Sequence, residues 1–337
     1  MTSSTRIGLV GFGYWGPNLA RNLAEQDGAV LTRIADASPA RRHLAASRYP
    51  TAVVSDNALD VLCGADVDAV VVATPVAAHF GLAQAALKAG KDVLVEKPLA
   101  LTHGEAEALG ELAEREGRVL MVDHTYAYAG PVVKMAELVD GGELGDVCYY
   151  DSTRINLGLF QNDVSVIWDL AVHDLSILQH VLKRRFETVQ STGASIWGSP
   201  FEAVAHITLG LSGNTQAHLN VSWIAPVKIR QTILVGDRKM LLYNDLENDE
   251  KIKIYDRGVV FEPDRRLALL REYRIGDMYA PKVDRIEPLA RACQHFLSCI
   301  RERRSPRTGA SEAIEVIRVL EAADWSLRND GKKVVLT

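Results

Sequence analysis

Three glycines near the start of the chain, Gly11, Gly13 and Gly16, stand in the spacing G-x-G-x-x-G within "GLVGFGYWGPNLARN". Backbone N–H groups gathered at such a turn, just ahead of a helix, suit a pyrophosphate. The chemistry implied is dinucleotide binding, and it requires a strand before the turn and a helix after it. "RIGLV" supplies the apolar run, and "PNLARNLAEQ" has helical spacing with Pro17 where a missing N–H costs little. Asp36 follows Gly16 by 20 residues, at the end of the next apolar run. A carboxylate there accepts hydrogen bonds from the adenosine ribose of NAD and repels the 2′-phosphate of NADP. It can equally cap the helix that follows. Arg41 and Arg42 on that helix can reach a 2′-phosphate, so NADP is the alternative to NAD. Tyr14 and Trp15 either form an apolar wall beside the nicotinamide or pack against the second domain.

Two further groups of residues have chemical potential. "EKP", Glu96-Lys97-Pro98, closes an apolar strand, and ligands of parallel sheets bind outside the carboxyl ends of strands. A Glu96–Lys97 ion pair is a poor reading, since neighbours on a strand face opposite ways. In "WDLAVHDL", Asp169 and His173 are four residues apart and share a helix face. Histidine ordinarily titrates near neutral pH and can move a proton. Asp169 can orient it or bind a substrate hydroxyl; the plainer reading is a capping Asp and an ordinary helical His. No H-E-x-x-H occurs, and one Asp with one His is too small a set for a closed zinc site, so no metal is expected.

The elements that would position these residues are legible in outline. Strand-like runs at "RIGLV", "VLTRIAD", "DAVVVATP", "DVLVEKP" and "VLMVDH" alternate with helical segments, which predicts a parallel, doubly wound sheet. Thr102 precedes a helix with acids in its first turns. After residue 124 alternating strands dominate, from "VCYYDSTRIN" to "IRQTILVG", followed by two helices. The expected fold is α/β: an N-terminal Rossmann domain over 1–123 and a C-terminal α+β domain over 124–337. The latter should hold a large, open, mostly antiparallel sheet with helices on one face. A chain of 337 residues is long enough for two such cores. Its net charge of −5 shows no nucleic-acid footprint. No apolar run suggests a leader or a membrane span. Cys63, Cys148, Cys293 and Cys299 include no C-x-x-C and read as reduced core thiols, which points to the cytoplasm.

Taken in order, "GFGYWG", "ATPVAAHF", "AGKDVLVEKPLA" and "WDLAVHDLSIL" resemble the Gfo/Idh/MocA family, glucose–fructose oxidoreductase, inositol dehydrogenase and their relatives. The resemblance runs through essentially the whole chain. It implies NAD(P) and hydride transfer at a sugar or cyclitol carbon. Lys97 would assist at the reacting hydroxyl, His173 would give or take the proton, and Asp169 would be its partner. Cofactor contacts would fall on Gly11, Phe12, Gly13, Tyr14, Trp15, Gly16 and Asp36, then on Thr74, Pro75, His79, Glu96 and Lys97. The segments "RINLGLFQNDVSVIWDLAVHDLSIL" and "GDMYAPKVDRIEPL" resemble members acting on nucleotide-linked sugars, including UDP-N-acetylglucosamine 3-dehydrogenase-like proteins. Arg154, Asn156, Gln161 and Asn162 are then candidates for substrate contacts, as are Tyr126 and Trp168; the alternative for the polar residues is ordinary strand and loop polarity. A free-sugar or cyclitol dehydrogenase and a non-catalytic dinucleotide-binding regulator are the competing readings. A homodimer or homotetramer is the expected assembly.

Overall fold

A computed structural model describes residues 4–158, 160–161, 163–260 and 272–336. The chain forms two compact units, one of residues 1–128 with 286–318, the other of 129–285 with 319–337.

In the first unit, β1 (Thr5–Val10), β2 (Ala29–Ala35), β3 (Val53–Ser55), β4 (Ala69–Val72), β5 (Asp92–Glu96) and β6 (Leu120–Asp123) make a six-stranded sheet. The order is β3-β2-β1-β4-β5-β6, and every pairing is parallel. This is the Rossmann order, with the chain reversing direction across the sheet between β1 and β4. The Val-rich β4 is buried along its whole length, as a strand covered on both faces must be. β3 leaves no mark on the sequence pattern because three residues are too few to show a period. The connecting helices are α1 (Gly16–Ala24), α2 (Pro39–Arg48), α3 (Leu59–Leu62), α4 (His79–Lys88) and α5 (His103–Arg115). α5 starts as expected: the Thr102 side chain accepts a hydrogen bond from the Glu105 amide.

In the second unit, α6 (Gly130–Asp140) leads into β7 (Val147–Leu157), and α7 (Val172–Leu182) is followed by β8 (Phe186–Ser195), β9 (Glu202–Leu211), β10 (Thr215–Ser222) and β11 (Ile224–Gly236). β12 (Met240–Asn244), β13 (Ile252–Val260) and β14 (Glu272–Tyr279) extend the sheet. α8 (Pro288–Glu302) and α9 (Ala310–Arg328) follow, and β15 (Val334–Val335) completes nine strands in the order β14-β13-β12-β11-β7-β10-β9-β8-β15. All pairings are antiparallel except β7 with β10.

Two expectations need revision. A boundary at 123/124 assigns both late helices to the second domain, whereas α8 packs into the core of the first unit through Leu289, Ala292, Cys293, Phe296 and Ile300. That spacing is one helical stripe. Glu287, just ahead of α8, is held by Arg21 at 2.6 Å and by Asn22 at 3.1 Å. The cysteines also divide: Cys293 and Cys299 are buried on α8, but Cys63 and Cys148 are exposed. Cys148 lies near the start of β7, where the pairing with β11 shifts register between Tyr149 and Val147, and this irregularity leaves it exposed although Tyr150, Ser152 and Arg154 further along are buried.

Candidate active site

The glycine turn lies between β1 and α1, and two of its three glycines are required by close backbone approach. Gly11 has φ +96°, and a Cβ there would come within 2.3 Å of the Ala73 carbonyl oxygen at the end of β4. A Cβ on Gly16 would meet the Gly11 carbonyl oxygen at 2.1 Å. Gly13 is different: a Cβ there meets nothing within 4 Å. Gly11 and Gly16 thus close the turn on itself, while Gly13 bares the backbone on an open side. The first turn of α1 carries no side-chain cap. This combination fits a pyrophosphate on the helix N-terminus.

Asp36 ties this turn to its surroundings. Its Oδ2 accepts from the Phe12 amide at 2.6 Å and its Oδ1 from the Ser38 amide at 2.7 Å. One oxygen thus supports the approach to α2, whose N-cap is Ser38 rather than Asp36, and the other supports the glycine turn. The Arg42 guanidinium is engaged by the Asp36 and Ala37 carbonyls at 3.0 and 2.8 Å. Phe12 is buried and forms an edge-on contact with Tyr49. The adjacent aromatics part company. Tyr14 is 81% exposed. Trp15 packs on the core of its own unit and donates Nε1–H to Asp123 Oδ2 at 3.3 Å.

Thr74 and Pro75 follow β4, and Lys97 and Pro98 follow β5. His79 bridges the two turns, with Nδ1 at 2.8 Å from the Pro98 carbonyl and Nε2 at 2.9 Å from that of Thr74. Burial lowers its affinity for a second proton. Thr74 Oγ1 is buried with no hydrogen-bond partner among the described residues. Lys97 is half-buried, and its amide donates to Glu96 Oε2 at 3.2 Å. Tyr126 lies in a short helical turn, Thr125–Tyr128, directly beyond β6.

Two residues at the end of β6 join the site without having been expected from the sequence. Asp123 and His124 are 1% and 2% exposed, beside the Lys97 turn. Neither ring nitrogen of His124 has a hydrogen-bond partner among the described residues. Burial, with the Lys97 charge adding to it, pulls its pKa from 6.5 to about 4. The folded state therefore prefers the neutral ring. The stability this confers is complete above the ordinary value and is lost as pH falls from 6.5 through 4. Between pH 7 and 4.5, His124→Leu should lose about 2–3 kcal/mol less stability than the unaltered chain, measured by urea unfolding at both pH values. Equal losses would show that His124 does not carry this acid sensitivity.

In the second unit, Asp169 lies in a π-helical turn, Ile167–Ala171, that runs directly into α7. Such turns recur at functional sites. His173 follows in the first turn of α7, so the two side chains still come from successive turns. Asp169 Oδ2 accepts from the buried Trp223 indole at 3.1 Å. Trp168 is 7% exposed and buried beside Asp324 of α9, whose carboxyl it influences. Arg154 is buried as well: Nε and Nη2 reach the two carboxylate oxygens of Asp174 at 3.0 and 2.9 Å. Ser152 donates to the same carboxylate at 2.9 Å. Thus Trp168 and Arg154 have clear packing and anchoring roles. Asn156 shares the Arg154 face of β7 by strand alternation, and Gln161 is half-buried; Asn162 lies outside the described residues.

Residues 5–124 match the model described as "Oxidoreductase family, NAD-binding Rossmann fold", and residues 132–242 match the Gfo/Idh/MocA C-terminal domain. The chain belongs to the Gfo/Idh/MocA family. It is 33% identical over 153 residues, 45% of this chain and 43% of the relative, to the uncharacterized oxidoreductase YdgJ of Escherichia coli (strain K12). The chain thus spans under half of that relative's length. It is 23% identical over 347 residues to the scyllo-inositol 2-dehydrogenase (NAD(+)) of Bacillus subtilis (strain 168), covering 98% of this chain and 96% of the relative. Its fold is shared with UDP-N-acetylglucosamine 3-dehydrogenase GnnA from Acidithiobacillus ferrooxidans. That likeness has a TM-score of 0.81 at 22% identity and covers 97% and 98% of the two chains. In this family member, the NAD-binding Rossmann domain is the first unit, and the open, mostly antiparallel sheet is the second.

Proposed function

We propose that this protein uses NAD to interconvert a carbinol and a keto carbon on a sugar, in particular one carried on a nucleotide. The observation that carries the reading is Asp169, fixed by Trp223, one helical turn before His173, in a chain whose first unit binds NAD. When bound, NAD supplies the hydride acceptor at the nicotinamide ring. The pyrophosphate would lie on the Gly11–Gly16 turn and the adenosine ribose at Asp36. In oxidation His173 accepts the hydroxyl proton, Asp169 holds the imidazole or a neighbouring hydroxyl, and the Lys97 ammonium stabilises the alkoxide. Reduction runs the same roles backwards.

A nucleotide-linked substrate is supported by an aromatic group on the second unit. The Phe160 ring is 5.5 Å from that of Trp223 and 6.3 Å from that of Trp197, which is 84% exposed. Exposed rings of this kind stack nucleobases. The second reading is a cyclitol dehydrogenase, favoured by the inositol relative that matches along nearly the whole chain. Turnover on UDP- and dTDP-sugars against inositols, with NAD and NADP in parallel, separates them through the absorbance of reduced nicotinamide. Asp36→Ala should weaken NAD about tenfold and relax the preference over NADP, the loss of one or two charge-assisted hydrogen bonds. An unchanged preference would reduce Asp36 to a structural tie. No change with any substrate would favour the regulator reading.

Self-association through the second unit's sheet accords with Tyr273 and Ile275, which lie two apart on β14 and are 71% and 77% exposed. A cytoplasmic site accords with four unpaired cysteines; among the described residues no helix is long and apolar enough to cross a membrane.

A further inference from the structure

The last residues of β5 and β6, Glu96 and Asp123, are register partners in the parallel sheet. Two acids side by side in a buried place cannot both be ionised without a large electrostatic cost. Their surroundings differ in kind. Asp123 receives a donor on each oxygen, Thr125 Oγ1–H at 2.8 Å and Trp15 Nε1–H at 3.3 Å. Glu96 receives only the Lys97 amide, on Oε2 at 3.2 Å, and its Oε1 is buried without a donor among the described residues. As register partners on adjoining parallel strands the two carboxyls lie on one face and act directly on each other, each shifting the other's proton affinity; a hydrogen bond between them is the arrangement that spares a buried like-charge pair. An ionised carboxylate only accepts, so such a bond exists only with a proton between the two groups. The donors gathered on Asp123 stabilise its charge and leave the proton to Glu96.

We propose that Glu96 and Asp123 hold one proton between them, and that this shared proton makes Glu96 the positioning residue for Lys97. Through it one connected set of hydrogen bonds runs from the Trp15 indole to Asp123, to Glu96 and to the Lys97 amide. The glycine turn and the Lys97 turn are thereby set in a single frame. The proposal rests on the reading that Lys97 acts at the reacting hydroxyl, but the proton itself does not depend on it.

The charges facing the pair are few. Lys97 adjoins Glu96, and His124, at the end of β6, is held neutral by burial. From α8 comes the Cys293 thiol, pushed well up by burial and then by Asp123, Glu287 and Glu96, with Arg21 acting the other way. The short turn after β6 adds Tyr128, raised by burial and bonded to Thr308. With one shared proton the pair carries a single negative charge opposite Lys97. Burial raises Glu96 well above the usual carboxylate range, and the charge of Asp123 raises it further. The sign follows: the shared proton is held below that elevated value, and its contribution is lost as pH rises through it.

The direct test is infrared spectroscopy of the full-length, cofactor-free protein in heavy water near neutrality. A protonated carboxylic acid stretch should be present and should vanish in Glu96→Gln, which keeps a donor toward Asp123 but cannot ionise. NAD binding by calorimetry gives the second readout. Glu96→Leu should lose about tenfold more NAD affinity than Glu96→Gln, a contrast of at least one hydrogen bond to a charged acceptor. Absence of the stretch from the unaltered protein, or its persistence in Glu96→Gln, overturns the proposal. Equal loss of NAD affinity in the Gln and Leu variants does so too. If Glu96→Leu does not fold, the infrared comparison decides alone. Neither readout uses a sugar, so an error in the substrate reading leaves this test untouched.

Discussion

Lys97→Ala and His173→Ala should each lower kcat by about two to four orders of magnitude while leaving NAD bound, because each removes a group needed only as the alkoxide develops. The two substitutions touch different parts of the fold. Lys97 follows β5, at the carboxyl edge where a Rossmann sheet presents its ligand, and His173 opens α7 in the other unit. The pyrophosphate turn contains neither residue, so calorimetric NAD affinity should stay within a few-fold. Their effects should also differ with pH. Removing a proton acceptor should deprive kcat of the titration belonging to that group, whereas removing a fixed cation should lower kcat across the range. Near-normal turnover in both variants on the best substrate would refute the proton-transfer role of His173 and the electrostatic role of Lys97, whatever that substrate proves to be.

Asp174→Ala should destabilise the second unit by about 3–5 kcal/mol, the cost of leaving a buried guanidinium without its counter-charge. The Arg154 and Asp174 side chains are 5% and 1% exposed, and they meet through two parallel hydrogen bonds. A double replacement, Arg154→Met with Asp174→Leu, removes both charges together and should recover most of that loss. Urea unfolding of the three proteins measures it. A loss below about 1 kcal/mol in Asp174→Ala would show that the pair is solvated in solution. The pair also matters for placement. Asp174 immediately follows His173 on α7, and Arg154 is on β7, so this ion pair fastens the helix bearing the proposed proton acceptor to the sheet beneath it. The "HD" of the motif thus has two unlike halves: His173, proposed for proton transfer, and Asp174, which anchors α7 to β7.

Much of the Rossmann half was legible from local pattern. A glycine turn is a backbone requirement, and only glycine tolerates the close approaches at positions 11 and 16. The strand-end position of "EKP" could likewise be read, because a buried parallel strand is a short unbroken apolar run with a sharp end. The same rule, applied to "VLMVDH", flags Asp123 and His124, which occupy the equivalent edge on the next strand. Arg154 was harder. Its place on the inward face of β7, with Tyr150 and Ser152, was implicit in the alternation, but its partner lies 20 residues away on a helix.

The sequence by itself determined the alternation of strands and helices in the first domain, the NAD-binding turn, and the residues whose chemistry suits proton and hydride transfer, since these rest on short-range period and on side-chain type. Tertiary structure alone decided which buried charges meet, which sheet α8 covers, and that Glu96 faces Asp123 rather than Lys97. Those choices come from packing between segments far apart in the chain. An apolar stripe or a buried acid announces that it needs a partner, and only the folded chain brings one within hydrogen-bonding reach.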